Sequence, residues 1–527
     1  MSERFFNNAW PVRCAEHYCL DPLHRIDLAE IEALIRQQRY FVLHAPRQTG
    51  KTSTLLALRR YLNRQDAYRC LYVNVECGQS AREDVEGAMR AILGEIAAQV
   101  RLQWQDESLY EVAENALRQR GPHGALAELL ARWTEGASCP TVLLIDEIDA
   151  LIGDTLLAFL RQLRSGYPQR PATFPQTVIL CGVRDVRDYR IRSGRSQEII
   201  TGGRAFNVKA ESIRMGNFSQ SDVSALYRQH TEETGQVFSP EALERLWWLT
   251  RGQPWLVNAL GYELTFRMKE YRDRTRPIDR DAVDRAAEVL IQRRDTHLDQ
   301  LADKLEEARV RRVIEPILSG DAEPELLAVD DVQYVRDLGL ITTEGQLEIA
   351  NAIYREVIPR ELTYTTSLTI AQDPVWYIQS DGRLNLPKLL AAFQAFFREH
   401  SEHWIERLDY KEAGPQLLLQ AFLQRIVNGS GRIEREYGLG RLRTDLLVIW
   451  PYGTDRIQKG VLELKVLHKG LNRTIAEGLQ QTHAYLDRSA AGEAHLLIFD
   501  RSDRPWEDKL FQCHETYRGK SISVWGM

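Results

Sequence analysis

Apolar residues fall along this chain in two kinds of run, and each predicts a different element. Four short, nearly unbroken runs read as buried strands: Tyr40-Phe41-Val42-Leu43, residues 70–75 (CLYVNV), 142–145 (VLLI) and 177–182 (TVILCG). Runs this short and this continuous suit central parallel strands covered on both faces. Between them the apolar residues return at helical spacing. Leu28, Ile31, Leu34 and Ile35 predict a helix capped by Asp27. Leu55, Leu56, Leu58 and Leu62 predict a second, opened by Thr52, and longer helical stretches cover 82–100 and 109–134. Strands alternating with helices predict an open α/β sheet.

The later chain changes pattern. Residues 277–303 are charged and helical. Val310, Val313, Ile314 and Ile317 form one helix face, and Val332, Val335 and Leu338 form another that ends at Gly339. Ile341, a turn at 343–345, and Leu347 with Ile349 then read as a β-wing, so 309–361 predicts a winged-helix module. Asp330 and Asp331 at the start of its second helix would repel phosphates, which favours an internal structural role over DNA binding. Leu389, Leu390, Phe393, Phe396 and Phe397 make a further helix face, and 415–427 is apolar on most sides, as a buried helix should be. Strands are predicted over 432–437, TDLLVIW and GVLELKVL, then a helix through IAEGLQQTHAYLDR and a strand at HLLIFD.

The first strand runs into the loop Ala45-Pro46-Arg47-Gln48-Thr49-Gly50-Lys51-Thr52-Ser53. A strand, a loop ending in Gly-Lys-Thr, and a helix together build a phosphate cradle. Backbone N–H groups from Gln48 to Thr52 point at an anion, and the helix N-terminus adds partial positive charge. Lys51 reaches the β- and γ-phosphates of ATP, and the Thr52 hydroxyl holds Mg²⁺. Asp146 and Glu147 follow the 142–145 strand, at the carboxyl end where open α/β sheets bind ligands. Asp146 suits Mg²⁺ through its water shell, and Glu147 suits a base for the attacking water. Arg184 follows the 177–182 strand, and Arg187, Arg190, Arg192 and Arg195 come soon after. A solvated basic loop, a γ-phosphate sensor, a finger reaching a neighbouring subunit and a nucleic-acid contact all fit this cluster. Arg25 is a lesser candidate for touching the base.

The second constellation lies near the other end. Glu463 and Lys465 share one face of their strand, with Leu464 on the other. If this strand pairs with TDLLVIW as a hairpin, Asp445 faces Glu463. Two carboxylates held together favour a divalent cation between them, Mg²⁺ or Mn²⁺. Lys465 then orients or activates a water beside a phosphodiester.

Composition narrows the setting. The 527 residues suggest three or four domains, and 44% hydrophobic with 27% charged is ordinary for a globular protein. A net charge of −6 argues against a protein coated in nucleic acid, though not against a local basic groove. The 7 cysteines show no zinc spacing, Cys14 and Cys19 being too far apart for a CxxC site, and predict reduced thiols in a cytoplasmic protein. The N-terminus lacks a signal pattern, and no apolar run approaches the ~20 residues a membrane span needs.

APRQTGKTS, VLLIDEID, the Gly182-Val183-Arg184-Asp185 turn and GQPWLVNAL resemble the AAA-like ATPases related to the archaeal and signal-transduction (STAND) NTPases, over residues 1–290. The resemblance implies a Gly-x-Pro element that packs a helical subdomain against the nucleotide, bringing in Pro254. Ala45 departs from the generic Walker pattern, which has Gly there. Asp445 followed by Glu463-Leu464-Lys465 resembles the PD-(D/E)xK nuclease superfamily, with Thr444 in place of the usual Pro. Gln481 and Tyr485 resemble the Gln-x-x-x-Tyr element of its lambda-exonuclease branch, which implies contact with the substrate phosphate or the water. Glu412 is a weaker match to a helical acid that some members add.

The expected architecture is therefore α/β and multidomain. It comprises a P-loop ATPase core (1–208), a helical subdomain (209–300), a winged-helix-like module (301–361), a linker (362–385) and a restriction-endonuclease-like domain (386–527). The expected function is ATP-regulated, Mg²⁺-dependent cleavage of nucleic acid, DNA before RNA, in prokaryotic genome defence. A homo-oligomer sharing the 184–195 region fits the same sequence, and no membrane partner is expected. The alternative is a STAND-like switch whose nuclease-like domain binds or scaffolds without cutting.

Overall fold

The computed structural model describes residues 3–9, 11–185, 190–192, 199–201, 206, 209–293, 296–319, 327–342, 347–362, 377–405, 414–427, 431–437, 444–453, 456–467, 470–500, 502 and 504–527. The chain forms two compact units: residues 1–292 with 336–340, and residues 293–335 with 341–527.

The first unit is built on a parallel sheet. Its strands are β1 (Tyr40–His44), β2 (Arg69–Asn74), β3 (Thr141–Asp146), β4 (Thr177–Gly182) and β7 (Lys209–Arg214), in the order β2-β3-β4-β1-β7. A separate small hairpin pairs β5 (Arg190–Arg192) with β6 (Ile199–Thr201). Every residue of β1, β3 and β4 is buried, as their unbroken apolar runs predict. Helices α1 (Leu28–Arg36), α2 (Lys51–Arg64), α3 (Val85–Trp104), α4 (Ser108–Arg120), α5 (Ala125–Glu135) and α6 (Gly153–Ser165) accompany the sheet. One apolar cluster gathers α3, α5 and α6 on one face, and a second gathers α1 and α2 on the other. Asp27 caps α1 by accepting the Glu30 N–H. The stretch expected as one helix over 109–134 is two, because Gly121 at φ 64° and Pro122 break it.

Helices α7 (Gln220–Thr234), α8 (Pro240–Thr250) and α9 (Pro254–Tyr262) follow, and α10 (Arg280–Arg293) ends the main run of this unit. Between α8 and α9, Gly252 sits at φ 70° against the Phe218 carbonyl, where a Cβ would overlap the oxygen. Gly is required there twice over, by backbone conformation and by space.

The cysteines depart from expectation. Cys14 and Cys19 form a disulfide, with Cα atoms 5.3 Å apart. The turn held by Glu16 and His17 N–H groups donating to the Arg13 carbonyl folds the chain back, so a spacing too long for a CxxC site still closes a ring. The other five are free.

In the second unit, α11 (Thr296–Leu305), α12 (Ala308–Ser319), α13 (Val329–Asp337), the short hairpin β8 (Ile341–Thr342) with β9 (Glu348–Ile349), and α14 (Ala352–Leu362) occupy the middle of the chain. Only residues 336–340, the end of α13 and the turn after it, group with the first unit. Asp331 is paired with Arg309 and Arg312. The turn expected at 343–345 lies outside the described residues.

The remainder is a mixed sheet with helices. Strands β10 (Arg432–Tyr437), β11 (Thr444–Tyr452), β12 (Arg456–Val466), β13 (Glu493–Phe499), β14 (Phe511–Tyr517) and β15 (Lys520–Gly526) run in the order β10-β11-β12-β13-β15-β14. β11 and β12 are antiparallel; β12 and β13 are parallel, joined through α17 (Leu471–Ser489). Helices α15 (Leu386–Ile405) and α16 (Gly414–Val427) pack on one face through Phe393, Phe397, Phe422 and Leu462. α17 packs on the other through Leu479, Tyr485 and Leu486 against Leu447, Val461 and Leu496. β14 and β15 were not expected from the sequence. A short α18 (Trp506–Lys509) precedes β14.

Candidate functional site

The loop after β1 and the first turn of α2 form the floor of a cavity of about 280 Å³, lined by Gln48, Thr49, Gly50, Lys51, Thr52 and Ser53. Gly50 caps α2 at φ 89°, a left-handed turn that aims the helix N-terminus into the cavity. The loop is held by its own polar groups. Thr49 Oγ1 donates to the Pro46 carbonyl (2.7 Å), and the Lys51 ammonium donates to the carbonyls of Ala45 and Pro46 (both 3.1 Å). Lys51 is only 5% exposed, so its charge is carried into a nearly dry site. Ala45 is buried and its N–H donates to the Gly182 carbonyl, a conformation any residue adopts.

Asp146 ends β3 fully buried. It accepts hydrogen bonds from the Thr52 hydroxyl (2.7 Å) and the Tyr72 phenol (3.0 Å). A hydroxyl and a carboxylate brought together beside the phosphate loop are hard oxygen donors suited to Mg²⁺, so these residues fit that ion. Glu147 lines the cavity in left-handed backbone conformation (φ 56°). Burial raises its pKa above the usual carboxylate value; Asp149 and Asp146 add to this, while Lys51 and Arg47 oppose it.

The N-terminal segment supplies a wall that sequence reasoning did not assign: Asn7, Asn8, Ala9, Pro11, Val12 and Tyr18. The Val12 N–H donates to Ser53 Oγ, and the Trp255 indole N–H donates to the Asn8 carbonyl. This second bond ties the wall to α9, whose Pro254, Trp255 and Asn258 also line the cavity. Arg25 lines it too, its guanidinium donating to the carbonyls of Thr49 and Gly216 and lying over the Phe218 ring. Burial lowers its pKa to about 10. No local motif marks this wall; it arises where residues distant in sequence converge.

Pro46, Arg47, Asp146 and Arg184 do not themselves line the cavity. Arg184 follows β4, which lies between β3 and β1, and its Nε is 3.9 Å from the Asp337 carboxylate. Arg190 and Arg192 lie in β5, while Arg187 and Arg195 lie outside the described residues.

In the second unit, Glu463 is 2% exposed and its Oε1 is 3.0 Å from the Lys465 ammonium. The β11–β12 register runs to Leu446 opposite Leu462, one residue short of positions 445 and 463. Alternation along β12 places 463 and 465 on the α17 face, with Val461. Gln481 and Tyr485 are on α17. The Gln481 carbonyl oxygen is buried without a hydrogen-bond partner, and Tyr485 is packed in the apolar layer between helix and sheet. Glu412 lies outside the described residues. Among those described, no group of three or more His, Cys, Asp or Glu is placed to hold a metal, and no helix is long and apolar enough to cross a membrane.

No curated protein matches the sequence. A Walker-type ATPase of Pyrococcus abyssi aligns at 15% identity and TM-score 0.45, covering 67% of this chain and 99% of its own. The ORC2 protein of Aeropyrum pernix, solved as ADPNP–ADP complexes, aligns at 15% identity and TM-score 0.38, covering 65% and 95%. Cdc6p of Pyrobaculum aerophilum gives 17% and 0.33, covering 69% and 97%. These are loose likenesses. The family model for the AAA domain matches residues 35–189, from the end of α1 past β4 and so across the cavity floor: this part of the chain is an AAA-type P-loop ATPase domain.

Proposed function

We propose that the chain binds and hydrolyses ATP at the first cavity and uses that cycle to control a metal-dependent phosphodiesterase site in its C-terminal unit. For the first site, Lys51 and the α2 N-terminus bind the phosphates, Thr52 and Asp146 hold Mg²⁺, and Glu147 takes a proton from the attacking water. Mg²⁺, when bound, neutralises charge on the phosphate oxygens. Arg184 senses the γ-phosphate from the end of β4.

For the second site, the observation that carries the reading is the β11–β12 register, which runs to Leu446 opposite Leu462, so that Asp445 and Glu463 are the next residues of two adjacent strands, with Lys465 beside Glu463. Asp445 and Glu463 are hard oxygen donors for Mg²⁺ or Mn²⁺, which would polarise the scissile phosphate. Lys465 orients the water, and Gln481 and Tyr485 support the substrate side. The substrate class is nucleic acid, DNA first, and the setting is defence against foreign genomes in the cytoplasm.

A second reading rests on a specific observation. Glu463 already has an ammonium 3.0 Å away, and a self-neutralised pair needs no cation. On that reading the C-terminal unit binds a partner and the chain is a nucleotide switch. Incubation with ATP, Mg²⁺ or Mn²⁺, and linear, circular and RNA substrates separates the two. Cleavage that is lost in Lys465→Ala while ATP hydrolysis continues supports the nuclease. Nucleotide turnover with no strand breaks under any condition supports the switch.

A further inference from the structure

We infer that Asp337 holds Arg184 back from the nucleotide, so that the γ-phosphate must win the guanidinium from Asp337. The stretch 336–340 thereby reads whether ATP or ADP is bound. The inference rests on the reading of Arg184 as the γ-phosphate sensor.

Three contacts place this stretch. Asp337, with a side chain 1% exposed, lies beside Arg184, itself 14% exposed, at the end of β4. Gly339, at φ 78°, sits so close to the phosphate loop that a Cβ would come within 2.7 Å of Pro46 Cγ. Arg214, the last residue of β7, donates from its guanidinium to the Arg336 carbonyl at 3.1 Å. β4, β1 and β7 are consecutive in the sheet. Residues 336–340 therefore lie across the carboxyl ends of three adjacent strands, on the edge that binds ligands in open α/β sheets.

Charge gives the arrangement a direction. Arg184 stands between the strand that ends in Asp146 and the strand that leads into Lys51, yet it does not line the cavity. Its Nε faces the Asp337 carboxylate instead. A γ-phosphate is a second anion of higher charge competing for the same fork of donors. ADP lacks it and leaves the Arg184–Asp337 pair alone. The two nucleotides thus have different interaction free energies with the stretch, which is what a nucleotide-dependent change requires.

The test is ATP and ADP affinity for the full chain, wild type against Arg184→Ala, Asp337→Asn and the double variant. Arg184→Ala should weaken ATP by about tenfold, the scale of a lost charged hydrogen bond, and leave ADP within about twofold. Asp337→Asn should tighten ATP by a similar factor, leave ADP unchanged, and have no effect once Arg184 is gone. If Arg184→Ala leaves the ATP-to-ADP ratio unaltered, the sensor reading itself fails. If Arg184→Ala changes the ratio but Asp337→Asn does not, or acts equally without Arg184, this inference is overturned. Should Asp337→Asn fail to fold, Gly339→Ala decides. It wedges the stretch off Pro46 without touching either charge, and must also tighten ATP over ADP.

Discussion

Glu147 is a carboxyl group asked to act as a base in a site that disfavours its charge. Burial, with Asp149 and Asp146 nearby, raises its pKa, and the opposing pull of Lys51 and Arg47 does not cancel the rise. A raised pKa means that the carboxylate, the form able to accept a proton, appears only at higher pH. ATP hydrolysis should therefore climb with pH along a limb displaced upward from the ordinary carboxylate range of about 4.3. Glu147→Gln should abolish that limb, lower hydrolysis by about 10²-fold or more, and leave ATP binding intact. A pH–rate profile of both proteins checks it; a limb that persists in Glu147→Gln would assign the base elsewhere. The residues of this site were legible because the chemistry demands them at fixed offsets on one loop and at one strand end. The wall from Asn7 to Tyr18 was not, since its residues are ordinary and their role comes only from where Trp255 and Ser53 anchor them.

Elements were readable in proportion to how local their causes are. β1, β3 and β4 are unbroken apolar runs and were found. The break at Gly121-Pro122 was missed, because periodicity continues across it and only the backbone changes. β14, with none of its residues fully buried at the sheet's edge, carries no apolar signature. Where helix meets sheet, α17 approaches β13 closely enough that a Cβ on Gly478 would lie 2.6 Å from Leu496 Cδ1, in a side chain with no exposure. Gly478→Val should cost about 2 kcal/mol through overpacking, read as a lower urea midpoint, and an unchanged midpoint would show that α17 can slide. His297 on α11 is joined to the Tyr354 hydroxyl on α14 at 2.5 Å, and burial lowers its pKa to about 3. The folded form keeps His297 neutral, whereas an unfolded His titrates near 6.5. Stability from this group is complete above about 6.5 and is lost as pH falls toward 3, by up to about 1.4 kcal/mol per pH unit. Urea midpoints at successive pH values should decline across that window, and His297→Leu should flatten the decline.

At the scale of the molecule, the chain leaves the first unit after residue 292, returns for 336–340, and leaves again. Among the described residues, the apolar clusters around the parallel sheet draw on residues 31–215, and those around the mixed sheet on residues 377–527. Separate cores predict separate cooperative transitions. The nucleotide cavity is lined entirely from the first unit. A ligand stabilises only the state that binds it, by about 2.7 kcal/mol at one hundred times its Kd. Calorimetry should therefore resolve two transitions, of which Mg²⁺–ADP raises one by several degrees and leaves the other in place. Lys51→Ala should remove that shift, because the ammonium held at the phosphate loop is lost, while Lys465→Ala should keep it. A single transition moving as a whole would mean that the two units melt as one. The return of residues 336–340 to the first unit would then be more than a local contact: it would couple the occupancy of one site to the folding of the other.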